Sequence, residues 1–305
     1  MKASFFRKTG GPEVLEYGDL PDPDAGPGQV LVDIHAASVN AADWKQRNGS
    51  HGPMAKVPGT LGRDFSGVVS ALGAGVTDFK VGDEVFGVVE QVRNDCYAEK
   101  VAIDAAIVAK KPASLSHIEA AAVALTGLTA LTAIEHTLKV QPGETVLVQG
   151  GAGGVASFAV QIARHIGARV ITTASAANHD YVRSLGAHEV IDYNAQDFTK
   201  AVSNVDAVLD TVGGEVAKRS FAVLRPGGRA AFVAGQAPDP TRDDVTAMKP
   251  KVGRARAHLE RILDLIANGA VRVPEIKVFA LADAPAAHRV SEGRHFRGKL
   301  VLKVR

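Results

Sequence analysis

The sequence predicts an α/β protein with two kinds of domain: a doubly wound parallel sheet, and a compact, largely antiparallel β barrel or sandwich. Three observations predict this fold class. Between residues 144 and 175, an apolar strand, a glycine-rich turn, a helix and a second strand follow one another. Strands and helices then keep alternating, which requires crossover connections and therefore parallel strands. Residues 1–112 differ, because frequent turns separate short strand-like runs there.

Turns are the reason that the first region is predicted to be antiparallel. Its strand-like runs cover 30–35, 67–72, 84–89 and 97–101. Clusters of Pro, Gly and Asp residues separate these runs, and such residues favour tight turns. Frequent turns between short strands indicate a barrel or sandwich rather than a series of βαβ units.

The stretch 144–175 carries a dinucleotide-binding pattern. Apolar residues 145–149 predict a buried parallel strand, and the apolar spacing of 155–166 predicts a helix. Between them, Gly151-x-Gly153-x-x-Ala156 fits the form G-x-G-x-x-G/A, in which the third residue need only be small. Glycines let the backbone approach a pyrophosphate, and the helix N-terminus offers unpaired N–H groups and a partial positive charge. We therefore predict a dinucleotide site at this turn.

The remaining elements continue the alternation after a predicted Ala-rich helix at 116–137. The predicted strands of the parallel sheet are 145–149, 169–173, 188–191, 205–209 and 229–233. Helices are predicted at 154–166, 178–185, 197–202 and 214–224. The polar stretch 238–250 breaks the alternation and is predicted to be a loop or lid. The later predictions are a helix at 254–268, a strand at 276–279, a helix at 282–292 and a strand at 299–304.

Composition indicates an ordinary globular protein. The chain has 305 residues, of which 46% are hydrophobic and 22% charged, with a net charge of +2. This length allows two domains. Nucleic acid is not expected as a main partner, because its recognition needs a concentrated basic face. Cys96 is the single cysteine, so neither an intrachain disulfide nor a cysteine zinc cage is expected.

Membrane association is not expected either. The N-terminal residues lack the apolar core of a signal peptide. The longest apolar stretch, 120–134, is about five residues short of a membrane span and is interrupted by Thr126, Gly127 and Thr129. We therefore expect a cytoplasmic protein in which Cys96 is a buried or partly buried, inert thiol.

Sequence blocks spread along the chain resemble those of one enzyme family. In order, they are 37–45 (ASVNAADWK), 58–67 (PGTLGRDFSG), 81–87 (VGDEVFG), the glycine pattern, 185–187 (LGA), 190–193 (VIDY), 210–214 (DTVGG), 224–228 (LRPGG) and 297–302 (RGKLVL). With these blocks the chain resembles the zinc-independent branch of the medium-chain dehydrogenase/reductase superfamily, the quinone oxidoreductase and enone (alkenal) reductase group. The resemblance implies a GroES-like catalytic domain, 1–112 completed by 274–305, around an inserted NADP-binding Rossmann domain, 113–273. It also implies a homodimer.

The same comparison of blocks predicts that the protein works without a metal. Zinc-dependent members of the superfamily bind zinc through a cysteine near the first block and a Gly-His-Glu in the second. Here Asn40 and Arg63-Asp64 occupy those places. No two of the ten histidines are spaced i, i+4, so the sequence suggests no other tetrahedral site. Without a Lewis acid to polarise an alcohol, we expect reduction of an already electrophilic acceptor.

The end of the second strand of the parallel sheet favours NADPH over NADH. NAD-binding folds place Asp or Glu there, about twenty residues past the glycines, to bond the ribose hydroxyls. Here no carboxylate follows Thr173 until Asp180. The resemblance places Ser175, Asn178 and Tyr193 around the 2′-phosphate of NADPH.

One departure from the family concerns Asn178, where relatives often carry Lys or Arg. Either Arg183 or His179 compensates for the missing charge, or both are ordinary solvated helix residues. The further cofactor-binding residues implied by the resemblance and the turn are Thr126, Gly151, Ala152, Gly153, Gly154, Val155, Thr173, Val233, Gly235, Arg297, Gly298 and Lys299. Lys299 is equally explained as an outward-facing strand residue.

The resemblance points to Lys45 and Asn40 as the catalytic residues. Hydride addition to an α,β-unsaturated carbonyl leaves negative charge on the carbonyl oxygen, which a positioned donor stabilises. Lys45 is the leading candidate for that donor, and the alternative is a surface lysine on a short helix. Asn40 either bonds the substrate or caps the following turn. Asp64 is expected to be structural, bonding loop backbone.

Together these observations predict an NADPH-dependent oxidoreductase. It would transfer hydride to a small electrophilic substrate, either a quinone or an α,β-unsaturated carbonyl, bound in a cleft between the domains. Two alternatives stay open. One is a zinc-free alcohol dehydrogenase, and the other is a nucleotide-binding protein of the same fold without turnover.

Overall fold

The structure is a computed structural model that describes residues 1–51, 57–90, 95–294 and 296–305. The chain divides into two compact units. The first unit comprises Met1–Leu125, Arg254–Leu263 and Glu275–Arg305, and the second comprises Thr126–Gly253 and Asp264–Pro274. The first division therefore runs through a helix, after Leu125, whereas the sequence placed it ahead of that helix.

The strands are β1 (Lys2–Phe6), β2 (Glu16–Asp19), β3 (Gln29–Val39), β4 (Gly59–Thr60), β5 (Asp64–Leu72), β6 (Glu84–Val88), β7 (Lys100–Asp104), β8 (Val108–Lys110), β9 (Thr145–Gln149), β10 (Arg169–Ala174), β11 (Glu189–Asp192), β12 (Val205–Asp210), β13 (Leu224–Phe232), β14 (Thr246–Met248), β15 (Ile276–Ala280) and β16 (Lys299–Lys303). The helices are α1 (Ala41–Arg47), α2 (His117–Leu131), α3 (Gly154–Ile166), α4 (His179–Ser184), α5 (Phe198–Ala201), α6 (Gly214–Arg219), α7 (Arg256–Ala267) and α8 (Ala284–Gly293).

β3 is the central strand of the first unit. It pairs antiparallel with β5, β7 and β16, within a sheet whose order is β15-β16-β3-β5-β6-β8. Val30, Val32 and Ile34 are buried on one face, as alternation along a strand requires. Ala36–Val39 are buried without alternation, so this end of β3 is enclosed on both faces. The enclosed end leads directly into Asn40 and α1.

The second unit contains one fully parallel sheet with the order β11-β10-β9-β12-β13-β14. After β9 the chain adds β10 and β11 on one side, and it then returns to add β12 on the other side. The doubly wound parallel sheet predicted from the sequence is thereby confirmed. Such a reversal of strand order opens a crevice at the carboxyl ends of the two central strands, β9 and β12.

Two local predictions about strands were wrong. The stretch 238–250 contains β14, whose Thr246 pairs with Arg229 of β13. An edge strand has one exposed side, which is why its polar residues gave no strand signal. The strand predicted at 97–101 lies instead at β7, because the backbone of Tyr97 bonds Leu61 and Ser4 outside that ladder.

The expectation that the apolar stretch 120–134 is too short for a membrane span was also wrong in its length argument. Helix α2 continues as a π-helical segment, Thr132–Thr137. The combined helix has 21 residues and is long and apolar enough to cross a membrane. In its most apolar window, however, 78% is buried inside the protein. Burial of this extent is what a core helix shows, since a core helix is apolar on every side.

Candidate functional site

The predicted dinucleotide turn lies between β9 and α3 in the second unit. Gly150 has φ of 76°, in the region that favours glycine. A Cβ atom on Gly151 would lie 2.2 Å from the Oγ1 atom of Thr172, so β10 leaves no room for a side chain there. Gly153, at φ of −76°, is the residue that precedes α3. The turn is therefore packed closely against β10, and its Gly153 and Gly154, at the start of α3, are partly exposed. The first N–H groups of a helix are suited to binding a phosphate.

Hydrogen bonds from neighbouring strands fix this turn. The Thr173 hydroxyl accepts from Gly150 N–H at 2.9 Å and donates to the side-chain oxygen of Gln149 at 2.8 Å. Gly151 N–H donates to the Thr173 carbonyl oxygen at 2.9 Å. Thr173 was predicted to bind the cofactor. Within the protein its side chain, which belongs to β10, attaches the glycine turn to that strand.

The residues predicted around a 2′-phosphate follow two neighbouring strands. In the register of β10 and β11, Ala174 pairs with Asp192, so Ser175 and Tyr193 both follow directly at the carboxyl ends. The Asn178 amide donates to the Ser175 hydroxyl at 3.1 Å. Tyr193 is 51% exposed. These residues thus present hydroxyl and amide groups at two neighbouring strand ends, and their contact with a 2′-phosphate stays a prediction.

The sequence reasoning gave no role to Asp210 and Thr211, at the carboxyl end of β12. The buried Asp210 carboxylate accepts hydrogen bonds from Val212 N–H at 2.7 Å and from Gly213 N–H at 3.0 and 3.1 Å. Burial raises the pKa of this carboxyl, and the bonds from Val212 and Gly213 oppose the rise. Thr211 donates to the Gln149 carbonyl oxygen at 2.7 Å. This bond joins the ends of β9 and β12 where the strand order reverses. The sequence block 210–214 was the signal that could have identified Asp210 and Thr211.

The other predicted cofactor residues of the second unit lie at the same sheet edge or beside it. Val233 follows β13, and its N–H donates to the Asp210 carbonyl oxygen at 3.0 Å. Gly235 has φ of 96°, and its carbonyl oxygen accepts from the Lys249 ammonium group. Thr126 is buried within α2. Ala152, Gly154 and Val155 belong to the turn and the first residues of α3.

In the first unit, Asn40 lies at the end of β3 with its amide group held on both sides. Its Nδ2 donates to Asp64 Oδ1 at 3.0 Å and to the Ser38 carbonyl oxygen at 3.3 Å. Its Oδ1 accepts from the Lys299 ammonium group at 2.8 Å. Both amide protons are therefore used inside the protein. Asn40 and Asp43 also form a capping box, so Asn40 caps the start of α1, which is one of the two roles considered for it.

Lys299 is buried rather than outward-facing, so that reading of it was wrong. Only 3% of this residue is exposed, and its ammonium group also donates to the Val39 carbonyl oxygen at 3.1 Å. Burial lowers the pKa of Lys299, while the charges of Asp64 and Asp43 raise it. Strand β16 places Lys299 there, because Leu300 pairs with Val39 beside it.

Asp64 has the structural role that was predicted, although its partners differ from loop backbone. Its carboxylate accepts from the Ser38 hydroxyl at 2.8 and 2.9 Å, from Asn40, and from the N–H of Leu125 in α2 at 3.2 Å. Burial raises the pKa of Asp64, and the Lys299 charge and these bonds oppose the rise. A buried carboxylate is tolerated because it is bonded in this way.

Lys45 lies on α1, and its side chain is partly exposed. The ammonium group is 5.5 Å from the centre of the Trp44 ring. In the same helix, Asp43 is fully buried, and its Oδ2 accepts from Asn40 N–H at 2.8 Å and from the Tyr97 hydroxyl at 3.0 Å. Burial raises the pKa of Asp43 to about 7, although both hydrogen bonds oppose the rise. Sequence reasoning assigned no role to Asp43 or Tyr97.

Arg297 and Gly298 lie in the first unit, just ahead of β16. Arg297 forms an ion pair with Glu275 at 2.6 Å on the surface. Gly298 has φ of 72°, and a Cβ atom there would lie 2.0 Å from the Glu275 carbonyl oxygen. In the first unit these two residues therefore define the turn into β16, and their predicted contact with the cofactor stays a prediction.

Zinc does not fit the residues at the family's metal positions. Asn40 and Asp64 are bonded to each other there, and Arg63 offers no ligand atom to a cation. Within 1–51, 57–90, 95–294 and 296–305, no group of three or more His, Cys, Asp or Glu side chains is placed to hold a metal ion. Cys96 is buried, as expected.

Comparison with known proteins identifies relatives of both units. Residues 26–113 match a family described as the alcohol dehydrogenase GroES-like domain, and residues 185–302 match one described as zinc-binding dehydrogenase. The 2-haloacrylate reductase of a Burkholderia species is 30% identical to this chain, and the match covers 98% of each protein.

Solved structures extend the likeness to the whole fold. The quinone oxidoreductase of Coxiella burnetii is 37% identical with a TM-score of 0.95, covering 100% of this chain and 99% of that one. The Escherichia coli quinone oxidoreductase, solved as a complex with NADPH, is 28% identical with a TM-score of 0.90 over 100% of both chains. The predicted combination of a GroES-like and a Rossmann-like domain is thus confirmed, and the chain belongs to the zinc-independent quinone oxidoreductase and enone reductase group of the medium-chain dehydrogenase/reductase superfamily.

Proposed function

We propose that this protein is an NADPH-dependent reductase that transfers hydride to a quinone or an α,β-unsaturated carbonyl. The observation that carries the proposal is the closed set of hydrogen bonds around Asn40. Where zinc-dependent relatives hold a Lewis acid, this chain has an amide bonded to Asp64 and Lys299. Such a site has no ligand set for a Lewis acid that would polarise an alcohol oxygen, so it suits an acceptor that is already electrophilic.

The second unit supports NADPH as the hydride donor. Gly151 and Gly153 place no side chain on the turn, and residues 173–178 at the end of β10 include no carboxylate that would repel a 2′-phosphate. The neighbouring Asp192, at the end of β11, accepts a hydrogen bond from Asn194 N–H. Ser175, Asn178 and Tyr193 offer hydroxyl and amide groups that can bond the 2′-phosphate. The similar Escherichia coli enzyme was solved with NADPH, which agrees with this choice.

NADPH, when bound, supplies the hydride, and the protein supplies orientation and charge stabilisation. In the proposed reaction, hydride addition leaves negative charge on the carbonyl oxygen of the acceptor, and protons from solvent complete the reduction. Lys45 would donate to that oxygen, since the amide protons of Asn40 are already used by Asp64 and Ser38. Asn40 would then act by shaping the first turn of α1, which it caps. The relative that reduces 2-haloacrylate favours an activated alkene as one acceptor class.

Steady-state kinetics with a panel of quinones and enones would test the proposal directly. We expect kcat/KM to be at least about tenfold higher with NADPH than with NADH, a difference of about 1.4 kcal/mol in transition-state binding. Asn178→Asp should remove that preference by placing a carboxylate beside the phosphate. Asn268→Asp is the matched control, because it adds the same charge to an exposed residue elsewhere in the second unit. Equal kcat/KM values for the two cofactors in the wild type would contradict the NADPH assignment.

The same assays separate the alternatives. Binding of NADPH without its oxidation by any quinone or enone would support a nucleotide-binding protein without turnover. Reduction of NADP⁺ by simple alcohols, in the absence of acceptor reduction, would support a zinc-free alcohol dehydrogenase. Either result would overturn the proposed reductase.

A further inference from the structure

A chain of buried polar side chains connects α8 to α1 within the first unit. Arg47 Nη1 lies 3.0 Å from His288 Nδ1, and His288 Nε2 lies 3.2 Å from the Tyr97 hydroxyl. That hydroxyl donates to Asp43 Oδ2 at 3.0 Å. Asp43, Arg47, Tyr97 and His288 are each at most 1% exposed. Buried polar groups are costly unless they are bonded, so this chain is a built feature of the fold.

The chemistry of the groups fixes the direction of every bond. An arginine can only donate, so His288 Nδ1 must accept and the ring proton sits on Nε2. Nε2–H then donates to the oxygen of Tyr97, which leaves the tyrosine proton for Asp43. The series therefore runs one way, from the Arg47 guanidinium to the Asp43 carboxylate. Burial, with a smaller effect of Arg47, lowers the pKa of His288 to about 3, which keeps the neutral tautomer that the series requires.

The two helices contribute matching pairs of residues. Asp43 and Arg47 are spaced i, i+4 on α1, and His288 and Glu292 have the same spacing on α8. Residues with this spacing share one helix face. Arg47 also forms an ion pair with Glu292 and donates to the Gly10 carbonyl oxygen. Helix α1 is therefore held near both of its ends by α8 and Tyr97.

The series of hydrogen-bonded side chains ends at the predicted site. Asp43 Oδ2 accepts the Asn40 N–H as well as the Tyr97 proton, and Lys45 lies on the same short helix. We propose that Tyr97 and His288 are positioning residues of the reductase, which hold Asp43 and thereby fix the Asn40 turn and the helix that carries Lys45. This inference rests on the proposed function, because it assigns the two residues to the alignment of its oxyanion donor.

Several other charges face Asp43 and are part of its environment. The charge of Asp64 raises the pKa of Asp43, and the charge of Arg63 lowers it. The charge of Asp43 in turn raises the pKa of Lys299. None of these groups bonds Asp43 in place of Tyr97. Among the residues that the structure describes, removal of the Tyr97 hydroxyl consequently leaves Asp43 with the Asn40 N–H alone, and it leaves His288 Nε2–H without its acceptor.

The test compares three variants in the full-length protein. Tyr97→Phe should lower kcat by about ten- to a hundredfold, as expected for a small displacement of a reacting group, with the Kd of NADPH within about twofold of the wild type. His288→Leu should do the same. His288→Gln should keep kcat within about twofold, because its amide can accept from Arg47 and donate to Tyr97. Tyr17→Phe, at a residue 50% exposed in the same unit, is the matched control.

A loss of unfolding free energy in Tyr97→Phe with an unchanged kcat would show a purely structural role and overturn the proposal. Nitrogen-15 NMR of the histidine rings gives a readout that needs no turnover. We expect His288 to carry its proton on Nε2 and to stay neutral from about pH 5 to about pH 9. Protonation at Nδ1 would overturn the inferred direction of the chain. Absence of turnover by the wild type with every acceptor would instead remove the proposed function, while the NMR result would still report on the chain.

Discussion

The buried ammonium group of Lys299 donates to the side-chain oxygen of Asn40 at 2.8 Å. These residues are 259 positions apart in the sequence, and strand β16 brings them together by pairing with β3. The bond fixes which end of the Asn40 amide faces Asp64, because the oxygen is committed to Lys299. The positive charge of Lys299 also compensates the buried carboxylate of Asp64.

Replacing Lys299 by methionine should destabilise the first unit. The change leaves Asp64 as a buried charge without compensation, for which the expected cost is about 3–5 kcal/mol. Urea unfolding measures the difference in free energy. Lys303→Met, on the same strand at an exposed position, should change the free energy by less than about 0.5 kcal/mol. Equal effects of the two substitutions would show that the buried bond contributes nothing.

Asp43 should make stability depend on pH in an unusual direction for a carboxyl group. Its pKa is about 7 in the folded protein against an ordinary value of 3.8, so the folded state binds the proton more tightly than the unfolded state. Stability contributed by this group is therefore present below about pH 4 and is lost as the pH rises to about 7. Asp43→Asn removes the titration while keeping an oxygen for Asn40 and Tyr97.

The free energy of unfolding of Asp43→Asn relative to wild type should accordingly increase between about pH 4 and about pH 8, by up to about 4 kcal/mol. Urea unfolding at several pH values measures it. Asp104→Asn, at an exposed residue of the same unit, serves as the control. A difference that stays constant over this range would contradict the raised pKa.

Lys45→Ala should impair the chemical step rather than cofactor binding. Removal of a donor to a developing oxyanion lowers kcat by about a hundredfold or more. The Kd of NADPH, measured by fluorescence titration, should stay unchanged because the predicted sites for the pyrophosphate and the 2′-phosphate lie in the second unit. Lys80→Ala, an exposed lysine in the first unit, controls for loss of charge. A wild-type kcat in Lys45→Ala on the best acceptor would remove Lys45 from the mechanism.

Two glycines of the turn should respond differently to alanine. In Gly151→Ala the new Cβ atom meets Thr172 Oγ1 at 2.2 Å, so β10 must shift and stability should fall by about 1–3 kcal/mol. In Gly153→Ala the nearest atom is the Gly150 carbonyl oxygen at 3.3 Å, so the stability cost should be small. Gly153→Ala should instead raise the Kd of NADPH, because its methyl group occupies the approach of the pyrophosphate. Calorimetry and fluorescence titration distinguish these effects.

Local signals made the second unit largely predictable. Strand β9 and helix α3 have the bounds that the sequence predicted, because an apolar run and a helical period are short-range patterns. Gly167 stops α3 in the left-handed region, at φ of 98°, which is a strong local signal. Strand β14 was missed because it forms only by pairing with β13.

The polar interior of the first unit could not be predicted in the same way. Tyr97 and Asp43 are 54 positions apart, and Tyr97 and His288 are 191 apart, so no local pattern relates them. In a sequence, Asp43 and His288 look like surface residues, since charged and polar residues are mostly exposed. For the same reason an outward-facing position was one of the two explanations considered for Lys299. The homodimer and the cytoplasmic location stay predictions from family resemblance and composition.

The bond between Asn40 and Lys299 also has a consequence for folding during translation. Translation proceeds at about 5–20 residues per second, so Lys299 emerges roughly 10–50 seconds after Asn40. During that interval the enclosed end of β3 lacks its neighbour β16, and its apolar residues are exposed to other chains. The second unit contains its whole parallel sheet between these two residues, and it can fold while the first unit waits. Nascent chains of this protein should therefore depend on chaperones until the strand that carries Lys299 has been made.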